Sequence, residues 1–265
     1  FDPKEVGMGG RLDGTNLIQP EFCVITNIGW DHMQFLGDSL EAIAREKAGI
    51  IKPHTPVIIG LTQSETQAVL QEKARQMESA IIFADQIDNS GYTSDLKGTY
   101  QRQNIHTAIV GLSHLNGFKL NSEKLKNGLL SVVDNTGIQG RWQVLNDAPK
   151  IVADVAHNKE GMGFTIPQIE SHPYVRLHLV LGFVKDKAVG EILQLFPHDA
   201  HYYLATPQIP RAMPIEDLKQ IAQNLDIHHQ IFPTVEAAFF AAKKQADVMD
   251  FIYVGGSTFV VAEIL

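Results

Sequence analysis

Glu5-Val-Gly-Met-Gly-Gly-Arg-Leu-Asp13, Thr26-Asn-Ile-Gly-Trp-Asp-His32 and Arg45-Glu-Lys-Ala-Gly-Ile-Ile-Lys52 fall within residues 5–53, and the fold is read outward from them. The apolar run at 22–28 has the length and composition of a buried strand. Asp38 or Ser39 supplies an N-cap for the helix that follows, with Leu40, Ile43, Ala44 and Lys47 along one side. Gly49 and Pro53 end it, which places Lys47 near its middle. Glu5 then precedes a glycine-rich turn, His32 follows the strand and Lys47 lies on the helix. Ligands collect at the carboxyl ends of strands in an open α/β sheet, so this pattern can gather a carboxylate, an imidazole and an amine around a phosphate-bound cation.

Downstream the alternation continues: a strand at 56–60, a helix at 64–77 and a strand at 80–84, which implies parallel pairing with right-handed crossovers. Two helices follow, one opening at Gln101 and one at Asn121 that runs to about Asp134. Asn135-Thr-Gly137 is a turn-rich break. Beyond it strands are expected at 150–155, 175–182, 200–205 and 250–254, with helices at 160–170, 186–195, 214–224, 234–246 and 256–265, the pattern of a small doubly wound unit.

The 265 residues suffice for one large or two ordinary domains, and 44% hydrophobic with 20% charged content is that of a folded chain. A net charge of −8 argues against general nucleic-acid binding, which takes an excess of Lys and Arg. No apolar run approaches the roughly 20 residues of a membrane span. Cys23 is the single cysteine, so no intrachain disulfide forms; this fits a reducing compartment, and the cytoplasm is expected. Cys23 itself reads as a small core residue. The histidines at 198, 201, 228 and 229 lack the companion ligands of a zinc site.

The three opening motifs, followed in order by Gly140-Arg-Trp-Gln143 and Asp154-Val-Ala-His-Asn158, resemble those of the folylpolyglutamate synthase and dihydrofolate synthase family, within the ATP-dependent Mur ligase superfamily. The resemblance covers most of the chain. It implies an α/β fold: a truncated central ATP-binding domain with a mostly parallel sheet at 1–136, then a smaller Rossmann-like C-terminal domain at 137–265. It implies ATP and Mg²⁺ as cofactors, with Glu5 and His32 as metal ligands and Lys47 as a carbamylated lysine that helps hold a second Mg²⁺. Carbamylation needs the neutral amine, hence a lysine shielded from water or close to positive charge. Asn104 is placed against adenine, Arg141 on the nucleotide phosphates and Asp154 on the ribose. His157 is placed on the incoming glutamate, and Ser257, in Gly255-Gly-Ser-Thr258, near the amino-acid carboxylate. Lys47 and His157 are the catalytic residues so implied. Lys159 stands where the family has a proline.

The implied activity belongs to folate and one-carbon metabolism. ATP converts a folate or dihydropteroate carboxylate to an acyl phosphate, which the amine of L-glutamate then attacks. The family's phosphate loop lies upstream of these motifs, and no Gly-x-x-x-x-Gly-Lys-Ser/Thr pattern occurs in this sequence. The chain, which opens at Phe1 inside a motif, reads as the downstream part of a larger enzyme. It is expected to be inactive in ligation by itself, and its first sheet to carry an edge open to dimer contacts. The alternatives are a non-catalytic nucleotide- or folate-binding fragment or pseudoenzyme, a Mur-type ligase acting on cell-wall precursors, and a nicotinamide-dependent oxidoreductase. The last lacks a Gly-x-Gly-x-x-Gly after a strand.

Overall fold

The structure is a computed structural model that describes every residue except Phe1, Asp31, His32, Asn89, Ser90 and Asp186, and the backbone alone of Gln34. The chain divides into two units, residues 1–94 with 100–131 and residues 132–265 with 95–99.

The first unit contains β1 (Cys23–Ile25), α1 (Met33–Leu36), α2 (Leu40–Ala48), β2 (Val57–Ile59), α3 (Ser64–Gln76), β3 (Ile81–Phe83), α4 (Gln101–Leu112) and α5 (Ser122–Leu129). Its three strands pair in parallel in the order β1-β2-β3. β2 is buried at all three positions because both its faces are covered. Val57 and Ile59 join Ile25, Ile43, Leu70 and Ala74, while Ile58 turns the other way, to Ala84 and Val110. That is why the strand reads as unbroken Val-Ile-Ile. The strand expected over 22–28 is only three residues long. Past it, the Gln63 side chain takes the place of a ladder partner: its Oε1 accepts from Ile28 N–H at 2.7 Å and its Nε2 donates to Ile28 O at 2.8 Å.

The helix expected to reach Asp134 stops at Leu129, and a separate α6 (Val132–Thr136) begins the second unit. Val133 N–H donates to Asp95 Oδ2 at 2.9 Å. The buried Gln168 amide accepts from Thr99 N–H and donates to Lys97 O, both at 2.8 Å, which ties 95–99 to the second unit. There follow β4 (Gln143–Asp147), β5 (Lys150–Ala153), α7 (Lys159–Glu170), β6 (Leu177–Leu181), α8 (Val189–Leu193), β7 (His201–Ala205), α9 (Ile215–Asn224), β8 (His229–Phe232), α10 (Val235–Gln245), β9 (Phe251–Gly255) and α11 (Thr258–Ala262). The sheet order is β4-β5-β9-β6-β7-β8, with β4 antiparallel and the remaining neighbours parallel. β6 and β9 are buried at every position. Leu177, Leu179 and Leu181 pack on one side with Met162, Leu193 and Leu218; Val180 and Val254 pack on the other with Ala238 and Ala242 of α10. β4 and β8 were not foreseen: both are edge strands whose residues are only partly covered, so neither carries an apolar run.

Near the amino ends of β6 and β9 lies a buried polar cluster. His178, fully buried, places Nδ1 2.9 Å from the Tyr203 hydroxyl and Nε2 3.2 Å from Asp250 Oδ2. Arg176 pairs with the same carboxylate oxygen at 2.9 Å. Among the described residues no helix is long and apolar enough to cross a membrane.

Candidate active site

Residues 7–16 form a compact loop on the last turn of α2. Asp13 anchors it internally. Its Oδ2 accepts from Gly7 and Met8 N–H at 3.1 and 3.2 Å, and its Oδ1 from the Thr15 N–H and hydroxyl at 2.9 and 2.6 Å. These bonds, the Thr15 hydroxyl foremost, hold the Asp13 carboxyl down at about 2. The loop joins α2 through Arg11 N–H on Glu46 O at 2.9 Å, the Arg11 guanidinium on the Glu46 carboxylate at 3.0–3.2 Å, and the Asn16 amide on Gly49 O at 3.0 Å. Glycine permits the approach. A Cβ on Gly10 would lie 2.8 Å from Ile50 Cγ2 and 2.9 Å from Glu46 O, and one on Gly49 would collide with the Arg11 backbone.

Glu5 is exposed at the head of this loop, and Lys47 is half-buried in the turn the loop covers. Lys47 lies in the last turn of α2 rather than near its middle, because the helix stops at Ala48 with Gly49 as its cap. The negative end of a helix dipole favours positive charge, so a carbamate on Lys47 would need a cation beside it. His32 lies outside the described residues. Among the described residues no group of three or more His, Cys, Asp or Glu is arranged to hold a metal. Glu5 still suits Mg²⁺, which keeps several waters and takes one or two carboxylates together with substrate phosphates. Asn104 is exposed in the first turn of α4 and donates to Gln101 Oε1 at 3.0 Å. Its helix packs beside the carboxyl end of β2, where a Cβ on Gly60 would lie 2.7 Å from Thr107 Oγ1.

In the second unit Arg141, Asp154, His157 and Ser257 come together. β5 and β9 are parallel neighbours with Ala153 opposite Val254, and Asp154 N–H continues the ladder to Val254 O at 3.0 Å. Asp154 is 1% exposed. Its Oδ2 accepts from Trp142 N–H at 2.7 Å and its Oδ1 from Ala156 N–H at 2.9 Å, while Val155 N–H donates to Gly140 O at 3.0 Å. Together these bonds shape the turn that carries the half-buried Arg141. Gly140 at φ +68° is required there: a Cβ would lie 2.8 Å from Val155 Cγ1 and 2.9 Å from Val261 Cγ1. Trp142 also takes a positive φ, 48°, unusual for a bulky residue and offset by its buried ring and its bond to Asp154. His157 Nδ1 lies 3.0 Å from Val155 O. A carbonyl only accepts, so the hydrogen sits on Nδ1, and a neutral ring carries its lone pair on Nε2. Asn158 caps α7 through Gly161 N–H, and Ser257, 3% exposed, caps α11 through Phe259 N–H at 3.2 Å.

Comparison with known proteins follows the same division. The Mur ligase middle domain profile matches residues 4–146, and the profile described as Mur ligase, glutamate ligase domain matches residues 140–258. This chain belongs to the Mur ligase family. It is 29% identical to the dihydrofolate synthase/folylpolyglutamate synthase of Bacillus subtilis over 98% of its own length and 65% of that protein's. Escherichia coli FolC, solved in complex with DHPP and ADP, superposes with a TM-score of 0.85 at 26% identity, covering 98% of this chain and 64% of that one. A bifunctional folylpolyglutamate synthase/dihydrofolate synthase, solved with Mn, AMPPNP and L-glutamate bound, gives 0.84 at 26% identity with the same coverage. The chain therefore spans somewhat less than two thirds of these Mur ligases.

Two residues carry structural work that the motifs did not announce. Asp154, expected on a ribose, has each carboxylate oxygen on a backbone amide beneath the Arg141 turn. Ser257, expected near a carboxylate, has its oxygen engaged as a helix cap. Three residues that shape the 7–16 loop and seat it on α2 went unassigned. Asp13 was legible as an Asp two residues before a Thr, a short-range turn signal. Arg11 and Glu46 are far apart in sequence, and nothing local joins them.

Proposed function

We propose that the chain is the nucleotide- and glutamate-handling part of an ATP-dependent carbon–nitrogen ligase that adds L-glutamate to a folate or dihydropteroate through an acyl phosphate. The observation that carries this reading is the convergence of Arg141, Asp154, His157 and Ser257 at the carboxyl ends of two adjacent parallel strands, with relatives matched over nearly the whole chain. Mg²⁺, when bound, neutralises the charge that develops on the transferred phosphoryl group. Glu5 offers it a carboxylate, His32 and a carbamylated Lys47 complete the set, and the dipole at the end of α2 ties that modification to the cation. Asn104 contributes to the adenine site and Arg141 gives a guanidinium to the nucleotide phosphates. Asp154 acts first as the holder of the Arg141 turn, whether or not a ribose hydroxyl shares its oxygens. With Nδ1 committed to Val155 O, His157 directs Nε2 as acceptor toward the glutamate ammonium, orients the amine and takes its proton as the amide forms.

The 265 residues contain no Gly-Lys-Ser/Thr loop, and we infer that the chain as given does not ligate. Joined to a loop-bearing segment from a relative, it is expected to incorporate labelled L-glutamate in an ATP- and folate-dependent manner, and without the segment to incorporate none. Full turnover by the chain alone would refute the loop requirement. A joined protein that binds nucleotide and folate yet never incorporates glutamate would refute the ligase reading.

A further inference from the structure

We propose that Arg11 and Glu46 are a positioning pair. They fix the loop that begins at Glu5 onto the helical turn that carries Lys47, and so set where both groups stand for a divalent cation. The inference rests on the roles given to Glu5 and Lys47 above.

The pair is joined twice, by the backbone bond from Arg11 N–H to Glu46 O at 2.9 Å and by the forked contact of guanidinium and carboxylate at 3.0–3.2 Å. Its side chains are 57% and 25% exposed, and an ion pair in such a place stabilises a fold by only about 0–1 kcal/mol. The forked geometry therefore acts on register more than on stability. The piece it holds is already stiff: Asp13 gathers the amides of Gly7, Met8 and Thr15, and Asn16 bonds both Arg11 O and Gly49 O. Glu5 lies just upstream of the Gly7 amide, and Lys47 follows Glu46 directly. On the other surface Gly10 and Gly49 remove the side chains that would hold loop and helix apart. Releasing the pair should let a rigid loop shift on α2 while the core of the unit stays folded.

The test uses Arg11→Ala, Glu46→Ala and the exchanged double variant Arg11→Glu/Glu46→Arg in the whole chain. Amide hydrogen exchange is followed over residues 7–16, and Mn²⁺ uptake in the presence of ADP by electron paramagnetic resonance. Each single variant is expected to speed exchange at Gly7 and Met8 and to weaken Mn²⁺ binding roughly tenfold, the lower range seen for partners that orient metal ligands. The thermal midpoint should move little, and the exchanged pair should recover much of both losses. Unchanged exchange overturns the proposal, as does faster exchange with unchanged Mn²⁺ affinity, or an exchanged pair as impaired as the single variants. If a single variant unfolds, the exchanged pair decides alone. A parent chain that takes up no Mn²⁺ with ADP overturns the cation reading itself, and the positioning role with it.

Discussion

The two units hold their candidate site residues by different means. In the second, the Arg141 turn rests on Asp154, which is 1% exposed and lies at the end of a strand inside a six-stranded sheet covered on both faces. In the first, the sheet has three strands, and the loop between Glu5 and Asn16 is held by polar contacts at the surface while Leu12, Leu17 and Phe35 are 80%, 93% and 67% exposed. A site residue borne by a core inherits the cooperative stability of that core. One borne by a surface loop depends on a handful of local bonds and opens at lower cost. Substitutions around the two should therefore separate into global and local effects.

The largest effect is expected from Asp154→Ala, which leaves the buried amide of Trp142 and the half-buried amide of Ala156 without their acceptor and should cost roughly 3 kcal/mol. Urea unfolding followed by fluorescence checks it, since Trp142 is 2% exposed and the second tryptophan, Trp30, is 44% exposed. A loss below about 1 kcal/mol would mean water replaces the carboxylate, and that the turn does not rest on it.

A matched pair of glycine substitutions sharpens the contrast. Gly140→Ala forces a positive φ on a residue with a Cβ and drives that Cβ into Val155 and Val261, so a loss of about 2 kcal/mol in the Trp142 transition is expected. Gly10→Ala meets the α2 backbone and Ile50 beneath the loop. It should speed amide exchange across residues 7–16 and leave the same transition in place. Equal global losses for both would break the comparison.

Acid should likewise act on the units in different ranges. Burial lowers the His178 pKa; Asp250 opposes that shift, and His201 and Arg176 add to it. The Tyr203 hydroxyl donates to Gln245 Oε1, so it can only accept from His178 Nδ1, and with Nε2 on Asp250 the ring would carry both hydrogens. Turning the Gln245 amide over reverses the Tyr203 hydroxyl and gives the neutral ring that burial favours. For a base whose folded pKa is lowered, the unfolded chain takes up a proton first. The second unit should therefore lose stability as pH falls below about 6.5, and the loss should level off below the folded pKa. Asp250 is pushed up by burial, but the Asp247 amide, His178 and Arg176 outweigh this and leave it lowered. Its contribution thus persists until more acid pH. In the first unit Asp13, at about 2, should keep its loop closed through the whole His178 range. Urea midpoints between pH 8 and 4, with and without His178→Phe, measure the first effect. Exchange at Gly7 and Met8 over the same range measures the second.

The smallest effect is expected at the helix caps. Ser257→Ala and Asn158→Ala should each cost about 1 kcal/mol in the second unit, read as a shift in urea midpoint.

Much of this was legible wherever a local rule and the tertiary fold agree. Ser39 caps α2 as its side-chain chemistry requires, the Val57–Ile59 run is a doubly covered strand, and Asp154 and Gly255 fall at the strand ends where the motifs place them. What was hidden depends on partners distant in sequence. β4 and β8 are strands only because a neighbour pairs with one side of each. The Asn121 helix ends at Leu129, just past Asn127-Gly128, a stop signal the expected run to Asp134 passed over, and the next helix bonds to Asp95. Arg11 meets Glu46 only once the loop has folded over α2. Asp154 reads from sequence as a ligand-facing acid, because its spacing to Trp142 says nothing of the backbone amide above it.

The most direct test of the ligase account follows oxygen. The folate or dihydropteroate carboxylate is labelled with oxygen-18 and incubated with ATP, L-glutamate and the chain joined to a loop-bearing segment. Transfer of one labelled atom to the released phosphate is the expected result, with turnover abolished by Lys47→Ala. Unlabelled phosphate, or full turnover in the Lys47→Ala variant, would contradict it.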